Sequence, residues 1–280
     1  MDEIEQETGK ILRSHDKRVT ADTKKVLKIL NATRREILAD VASTEWEKYY
    51  QPKMQKAIED QMLNFVNKAR EMIGEGQIDI WASGAAMTER ILSAAGISVM
   101  MPVLPTSLLN QLKDFSATKI QGLSKAALER VNTELVLGMT GGKTPYDVMQ
   151  AIGRNLKDPG IFTSTAARAE VIVREEYGRT FSAARQERMM QAKARVAGLK
   201  KIWRHAGHPK VPRESHLAAH GQVVDIDEPF LVGGERLMYP RDPAGSPENT
   251  INCGCQSLPH KEEWGIQEAR LGHRMELIYS

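Results

Sequence analysis

FLVGGERLMY, residues 230–239, places two short β-like runs, Phe230–Val232 and Glu235–Tyr239, on either side of Gly233-Gly234. Two adjacent glycines between apolar runs predict a two-residue hairpin, because the tight turn that matches strand twist needs φ > 0 at its central positions. Upstream, Lys200–Arg204 and Gln222–Ile226 read as two more β-like runs. Six of the 12 prolines fall between Pro209 and Pro247, with Gly207, Gly221, Gly233, Gly234 and Gly245 among them. A compact, turn-rich α+β unit therefore begins after Gly198.

Everything before Gly198 reads as helix. Thr44-Glu45-Trp46-Glu47 fits a capping box that opens a run toward Ile73, with Gly74 and Gly76 as its stop. Ser124 to Leu137 forms a second candidate, with Leu128, Val131 and Leu135 on one stripe. Thr144-Pro145 starts a third: Thr caps, and Pro takes the first helical position, where its missing N–H costs nothing. That helix carries Val148, Ile152 and Leu156 on one face, and Asp158-Pro159-Gly160 stops it. A long basic helix spans Ser164 to about Ala197, with Ala169, Val173, Tyr177, Phe181 and Ala184 along one side. The fold class is α+β, a mostly helical N-terminal part followed by a small turn-rich α+β domain. The boundaries fall at 1–160, 161–262 and a tail at 263–280.

Composition narrows the function classes. Aromatics are 5% of residues and charged residues 27%, the profile of a helix-rich soluble protein. The uncharged stretch Ile91 to Leu112 contains Pro102 and Pro105 and six Ser, Thr, Asn or Gln residues, so a proline break between helices is expected and a membrane span is not. The opening MDEIEQETGK has neither the charged nor the apolar region of an export signal, so the expected compartment is a reducing cytosol. Thr165–Arg213 holds 12 Lys/Arg against 4 Asp/Glu, and Glu214–Ser280 holds 5 against 11. A basic stretch followed by an acidic one suits nucleic acid or an acidic protein, or a solvated helix face. The segment GMTGGKTPYD (138–147) lacks the first glycine of a phosphate loop, its place being taken by Leu137, and reads as a helix–turn–helix connection.

The two cysteines, Cys253 and Cys255, sit in TINCGCQSLP (250–259), downstream of His216 and His220 in SHLAAHG. If SHLAAHG is helical, both imidazoles share a face, and two His plus two Cys make a closed structural zinc set. Cys-x-Cys is tighter than the usual ligand gap, and His205 or His208 could substitute for either histidine. The competing reading packs the cysteines as small hydrophobes and leaves the histidines to loop hydrogen bonds. A zinc-peptidase reading lacks its general base, because positions 217–219 are Leu, Ala, Ala. A Cys253–Cys255 disulfide would strain the bridging distance.

The ordered set RESHLAAHGQVVDIDEPF (213–230) and LMYPRDPAGSPENTINCGC (237–255) resembles the C-terminal domain of phage Mu F-like minor head proteins, also called head-morphogenesis proteins. The elements are Trp203, Arg213 to His216, Gly221-Gln222, Glu228 to Phe230, Tyr239 to Pro243 and Asn252 to Cys255. AEVIVREEYGRTFSAAR (169–185) takes the place of that family's Arg-Thr-Glu helix, with Glu175 where Thr is expected. His220 stands where the family often has Asp. The resemblance covers 165–260 well, 100–160 loosely, and does not extend before that.

The resemblance implies a non-enzymatic minor head protein of a tailed phage or prophage, located in the virion at the head interior or portal, and in host cytoplasm during assembly. Its implied partners are portal protein, scaffold or major capsid protein, with packaged double-stranded DNA as a non-specific contact and no membrane. Residues 1–160 would dock on portal or scaffold, while Arg185, Arg188, Lys193, Lys200, Lys201 and Arg204 would face DNA. The 25 residues after Cys255 lead us to expect no further domain. The alternative is a metal-dependent nuclease on the His/Cys cluster, with Asp242 or Glu228 as base. A zinc-stabilised DNA-binding regulator ranks last, since no base-reading helix has recognisable spacing.

Overall fold

The computed structural model of the chain describes residues 2–43, 51–154, 159–205 and 212–264. In chain order the elements are α1 (Asp2–Ser43), α2 (Gln51–Ala94), α3 (Ser107–Met139), α4 (Pro145–Ile152), α5 (Ile161–Lys193), β1 (Lys200–Arg204), α6 (Glu214–Ala218), β2 (Val223–Asp225), β3 (Phe230–Val232), β4 (Glu235–Leu237), α7 (Pro247–Thr250) and β5 (Gln256–His260). The protein is α+β, helical first and strand-bearing at its C-terminal side. Two compact units interleave in sequence: one takes 1–18, 77–110 and 175–280, the other 19–76 and 111–174.

The second unit is helical. Its buried side chains follow the helical period along each element: Val26, Leu30, Ile37 and Val41 on α1, and Met54, Ile58, Met62, Phe65, Ala69 and Ile73 on α2. On α3 the stripe is Ile120, Leu123, Ala127, Val131 and Leu135. Thr144 caps α4 through a full capping box with Asp147, as Thr144-Pro145 predicts. This helix ends at Ile152 against Gly153 (φ 102), earlier than expected, and Leu156 and Asp158 lie outside the described residues. Arg34, 4% exposed, donates to the Gly153 carbonyl at 3.0 Å and fixes that end.

Several helix boundaries differ from the sequence expectation. The Thr44–Glu47 capping box lies outside the described residues. Helix α2 runs on through Gly74 and Gly76 to Ala94. Each interior glycine costs about 1 kcal/mol against alanine, a cost that tertiary burial of the flanking apolar stripe exceeds. Helix α3 starts at Ser107, directly after the proline break, so the 95–106 segment separates the two long helices α2 and α3. No described helix is long and apolar enough to cross a membrane.

The first unit holds the small sheet. Strand β1 is central, pairing antiparallel with β2 (Ile202 opposite Val223) and with β5 (Ile202 opposite Leu258), which gives the order β2-β1-β5. The predicted hairpin is present, with Val232 opposite Glu235 and both turn glycines at positive φ, 58 and 83. Strand β5 was not anticipated. Within this unit α5 crosses α2 closely: a Cβ on Gly84 would lie 2.5 Å from the Phe181 carbonyl oxygen, so only glycine fits. A second apolar cluster, Leu92, Met189, Ala192, Val196, Leu199 and Ile226, carries the α5 end onto the loop after β2.

Candidate functional site

The site grows from three short pieces of backbone. Arg213 enters α6 extended and donates to the Ile251 carbonyl at 2.5 Å, which ties α6 to the chain after α7. The turn of the β3–β4 hairpin rests on the same place: a Cβ at Gly233 would meet Ser215 Cβ at 3.1 Å and Asn249 Nδ2 at 3.3 Å. Asn252 takes the left-handed conformation (φ 55), a region asparagine tolerates better than most residues, and turns the chain into Cys253. From there side chains two apart face the same way, so Cys253 and Cys255 converge before β5 begins.

These pieces bring His216, Cys253 and Cys255 together. His216 Nδ1 lies 3.6 Å from Cys253 Sγ and 3.4 Å from Cys255 Sγ. Exposure is 2%, 1% and 1% respectively. Around them pack Trp203, Ala219, Phe230, Val232 and Leu237. Trp203 stands edge-on to the His216 ring at 5.9 Å and to Phe230 at 5.2 Å. Both cysteines are free thiols. The hydrogen bond from Cys255 draws the Cys253 thiol well below its ordinary range, helped by His216 and the Arg241 charge. As the donor of that pair, and buried, Cys255 is pushed up.

A buried ion pair braces the same loop. Arg241, itself left-handed (φ 65), places Nε 3.1 Å from a Glu175 carboxylate oxygen, and the other oxygen accepts the Asn252 backbone N–H at 2.7 Å. Burial works against the Arg241 charge, but Glu175 and the two cysteines outweigh it and hold the guanidinium above its usual range. Gly178 makes room on α5, since a Cβ there would lie 2.6 Å from Arg241 Cζ. Arg179 donates to the Arg241 carbonyl at 3.1 Å and pairs with Glu176. The Glu175 carboxylate thus fixes the residue immediately before Cys253.

Residues 129–258 match the family model described as Phage Mu protein F like protein. This stretch is similar to the Mu F-like domain. An uncharacterized protein of Bacillus subtilis (strain 168), YqbB, is 33% identical over 176 residues, 62% of this chain and 55% of its own length. The Enterococcus faecalis protein named NAD(+)--arginine ADP-ribosyltransferase EFV is 28% identical over 130 residues, 46% of this chain and 25% of its own. The chain therefore spans about half of one relative and a quarter of the other. No solved structure matches it.

Within the matched region the four-ligand expectation needs correction. Helix α6 ends at Ala218, so SHLAAHG is not one helix and His216 and His220 do not share a face. His220 instead accepts the His205 backbone N–H through Nδ1 at 3.0 Å, and the metal-competent group among the described residues is His216, Cys253 and Cys255. His208 lies outside the described residues. Neither proposed base suits hydrolysis. Asp242 uses one oxygen for the Met238 N–H and the other for the Ala244 N–H, holding a turn. Glu228 faces Arg236 at 3.9 Å on the exposed side of the hairpin.

Four of the six DNA-contact candidates are interior, contrary to expectation. Arg185 is 1% exposed, lies 5.0 Å over the Phe181 ring and reaches Met87 Sδ at 3.4 Å. Burial and then the Arg241 charge lower its pKa to about 9. Arg188 is buried against the Pro102 carbonyl, Gln191 and Glu89. Lys201 is buried over Phe230 and donates to the Met238 carbonyl at 2.7 Å, and Arg204 is 3% exposed. Only Lys193 and Lys200 reach the surface, paired with Asp227 and Glu262. The signal was in the sequence: Tyr177, Phe181, Ala184 and Arg188 follow one i, i+4, i+7, i+11 stripe, which puts Arg188 on the apolar face.

Proposed function

We propose that the chain is a minor structural protein of a tailed-phage or prophage head that works by assembly and not by catalysis. The Mu F-like match at 129–258 carries the reading. The closed centre of the domain supports it: the His216, Cys253 and Cys255 side chains, at 1–2% exposure, present no reactive face to a substrate in solvent. The transferase name belongs to a relative of which this chain covers 25%, and that activity is not part of the proposal.

The partners that fit are portal, scaffold or major capsid protein, met through the long helices, with the domain as a rigid module. Packaged DNA is the weaker partner reading, because two of the six basic candidates remain at the surface and each faces a carboxylate. The test is quantitative mass spectrometry of purified heads from a phage or prophage carrying this gene. Recovery in a few copies per portal ring is expected, and heads that contain portal but lack this chain refute the proposal. DNA contact is measured separately on the full chain, where binding that falls steeply with salt and ignores sequence is the expected signature.

A further inference from the structure

We propose that His216, Cys253 and Cys255 hold one zinc ion that staples α6 to the loop before β5. Three observations converge on it. The first is distance. Zinc bonds of about 2.3 Å to sulfur and 2.0–2.1 Å to nitrogen, at tetrahedral angles, require an S···N edge of about 3.6 Å. The two Sγ···Nδ1 separations are 3.6 and 3.4 Å, and all three ligand atoms lie within 4.8 Å of one another.

The second is hydrogen-bond capacity. Both sulfurs approach the same nitrogen, and an unprotonated imidazole nitrogen has a single lone pair. That nitrogen accepts from one thiol at most, leaving the other to its neighbouring sulfur as Cys255 is to Cys253, whereas one cation at the common centre engages all three atoms. The proton then sits on Nε2, a buried atom with no hydrogen-bond partner.

The third is charge. A divalent ion with two thiolates and a neutral imidazole is neutral, and the neighbouring Arg241 is already matched by Glu175. No buried charge is left over, as a low-dielectric interior demands. Two soft thiolates with one imidazole select zinc over the hard cations that prefer oxygen. The fourth position is left to water or another external donor, and the two cysteines pack in one buried cluster with Trp203, Phe230, Val232 and Leu237, so the ion acts as a structural clasp.

The experiment uses the full chain, purified without chelator, with native and denatured masses compared. A mass increment of one zinc per chain is expected, falling to none in Cys253→Ser and Cys255→Ser, while His220→Ala keeps the full zinc. A wild-type chain of bare mass overturns the proposal, and so does zinc lost in His220→Ala but kept in the serine variants. Where the serine variants do not fold, the wild type stripped by chelator and given Co²⁺ decides. Thiolate-to-cobalt charge transfer with four-coordinate visible bands supports the site, and a spectrum of hydrated octahedral cobalt refutes it.

Discussion

Replacing Glu175 by Gln tests the brace behind the cysteine loop. The amide keeps an oxygen for the Asn252 N–H, 2.7 Å away, and replaces the oxygen facing Arg241 with an NH2, removing both the charge and the acceptor for Arg241 Nε–H. At the observed 3.1 Å and an effective dielectric near 20, the lost attraction is about 5 kcal/mol before solvation is counted. Both side chains are at most 10% exposed, so water cannot take over the stranded guanidinium. Breaking one half of such a buried pair costs about 3–5 kcal/mol, which is the expected loss for Glu175→Gln. Arg241→Met in the same background removes the stranded charge and should restore about half of that loss or more. Urea unfolding of the wild type, both single variants and the double variant gives the coupling energy directly. Single-variant losses that add to within about 0.5 kcal/mol would mean that the pair does not brace the loop.

Gly178→Ala puts a methyl 2.6 Å from Arg241 Cζ, and the expected loss is about 1–3 kcal/mol by urea unfolding, against the gain of about 1 kcal/mol that alanine brings to an unhindered helix. Gly84→Ala meets backbone, the Phe181 carbonyl oxygen at 2.5 Å, and should cost at least as much, since a carbonyl cannot rotate aside. Lys201 titrates near pH 8 when folded, lowered by burial from 10.5, so between these values the unfolded chain binds the extra proton and stability rises with pH. That rise is about 3 kcal/mol at most and should flatten in Lys201→Met, with Asp242, Asp227 and Glu228 as the charges that oppose it; equal pH slopes in the two proteins would contradict the assignment.

Legibility in the sequence tracked how local the deciding physics was. The Gly233-Gly234 hairpin and the Thr144–Asp147 box are settled within four residues, and both were readable. Strand β5 was not, because Gln256-Ser-Leu-Pro-His lacks alternation and becomes a strand only by lying along β1, more than fifty residues earlier. Gly74 and Gly76 look like stops, yet α2 is held by burial on either side of them. Of the buried cluster, His216 and both cysteines stand out in the sequence by spacing and residue type. Excluding His220 required knowing where α6 ends. The role of Glu175 surfaced only as a departure from the expected Thr, since its partner Arg241 is 66 residues away. The burial of Arg185, Arg188, Lys201 and Arg204 is invisible to a net-charge count, which ignores helix face.

The strand order β2-β1-β5 also sets a timetable for synthesis. The central strand leaves the ribosome first, gains its β2 neighbour about twenty residues later, and waits for residues 256–260 before its other side is covered. Until then the backbone of β1 is an open edge, with Ile202 and Trp203 on a strand able to pair with another nascent chain. Long-range closure of this kind is slow. A ribosome paused after β2 has emerged but with Gln256 still inside its exit tunnel would therefore hold the chain in its most aggregation-prone state, and emergence of residues 256–260 would end that exposure.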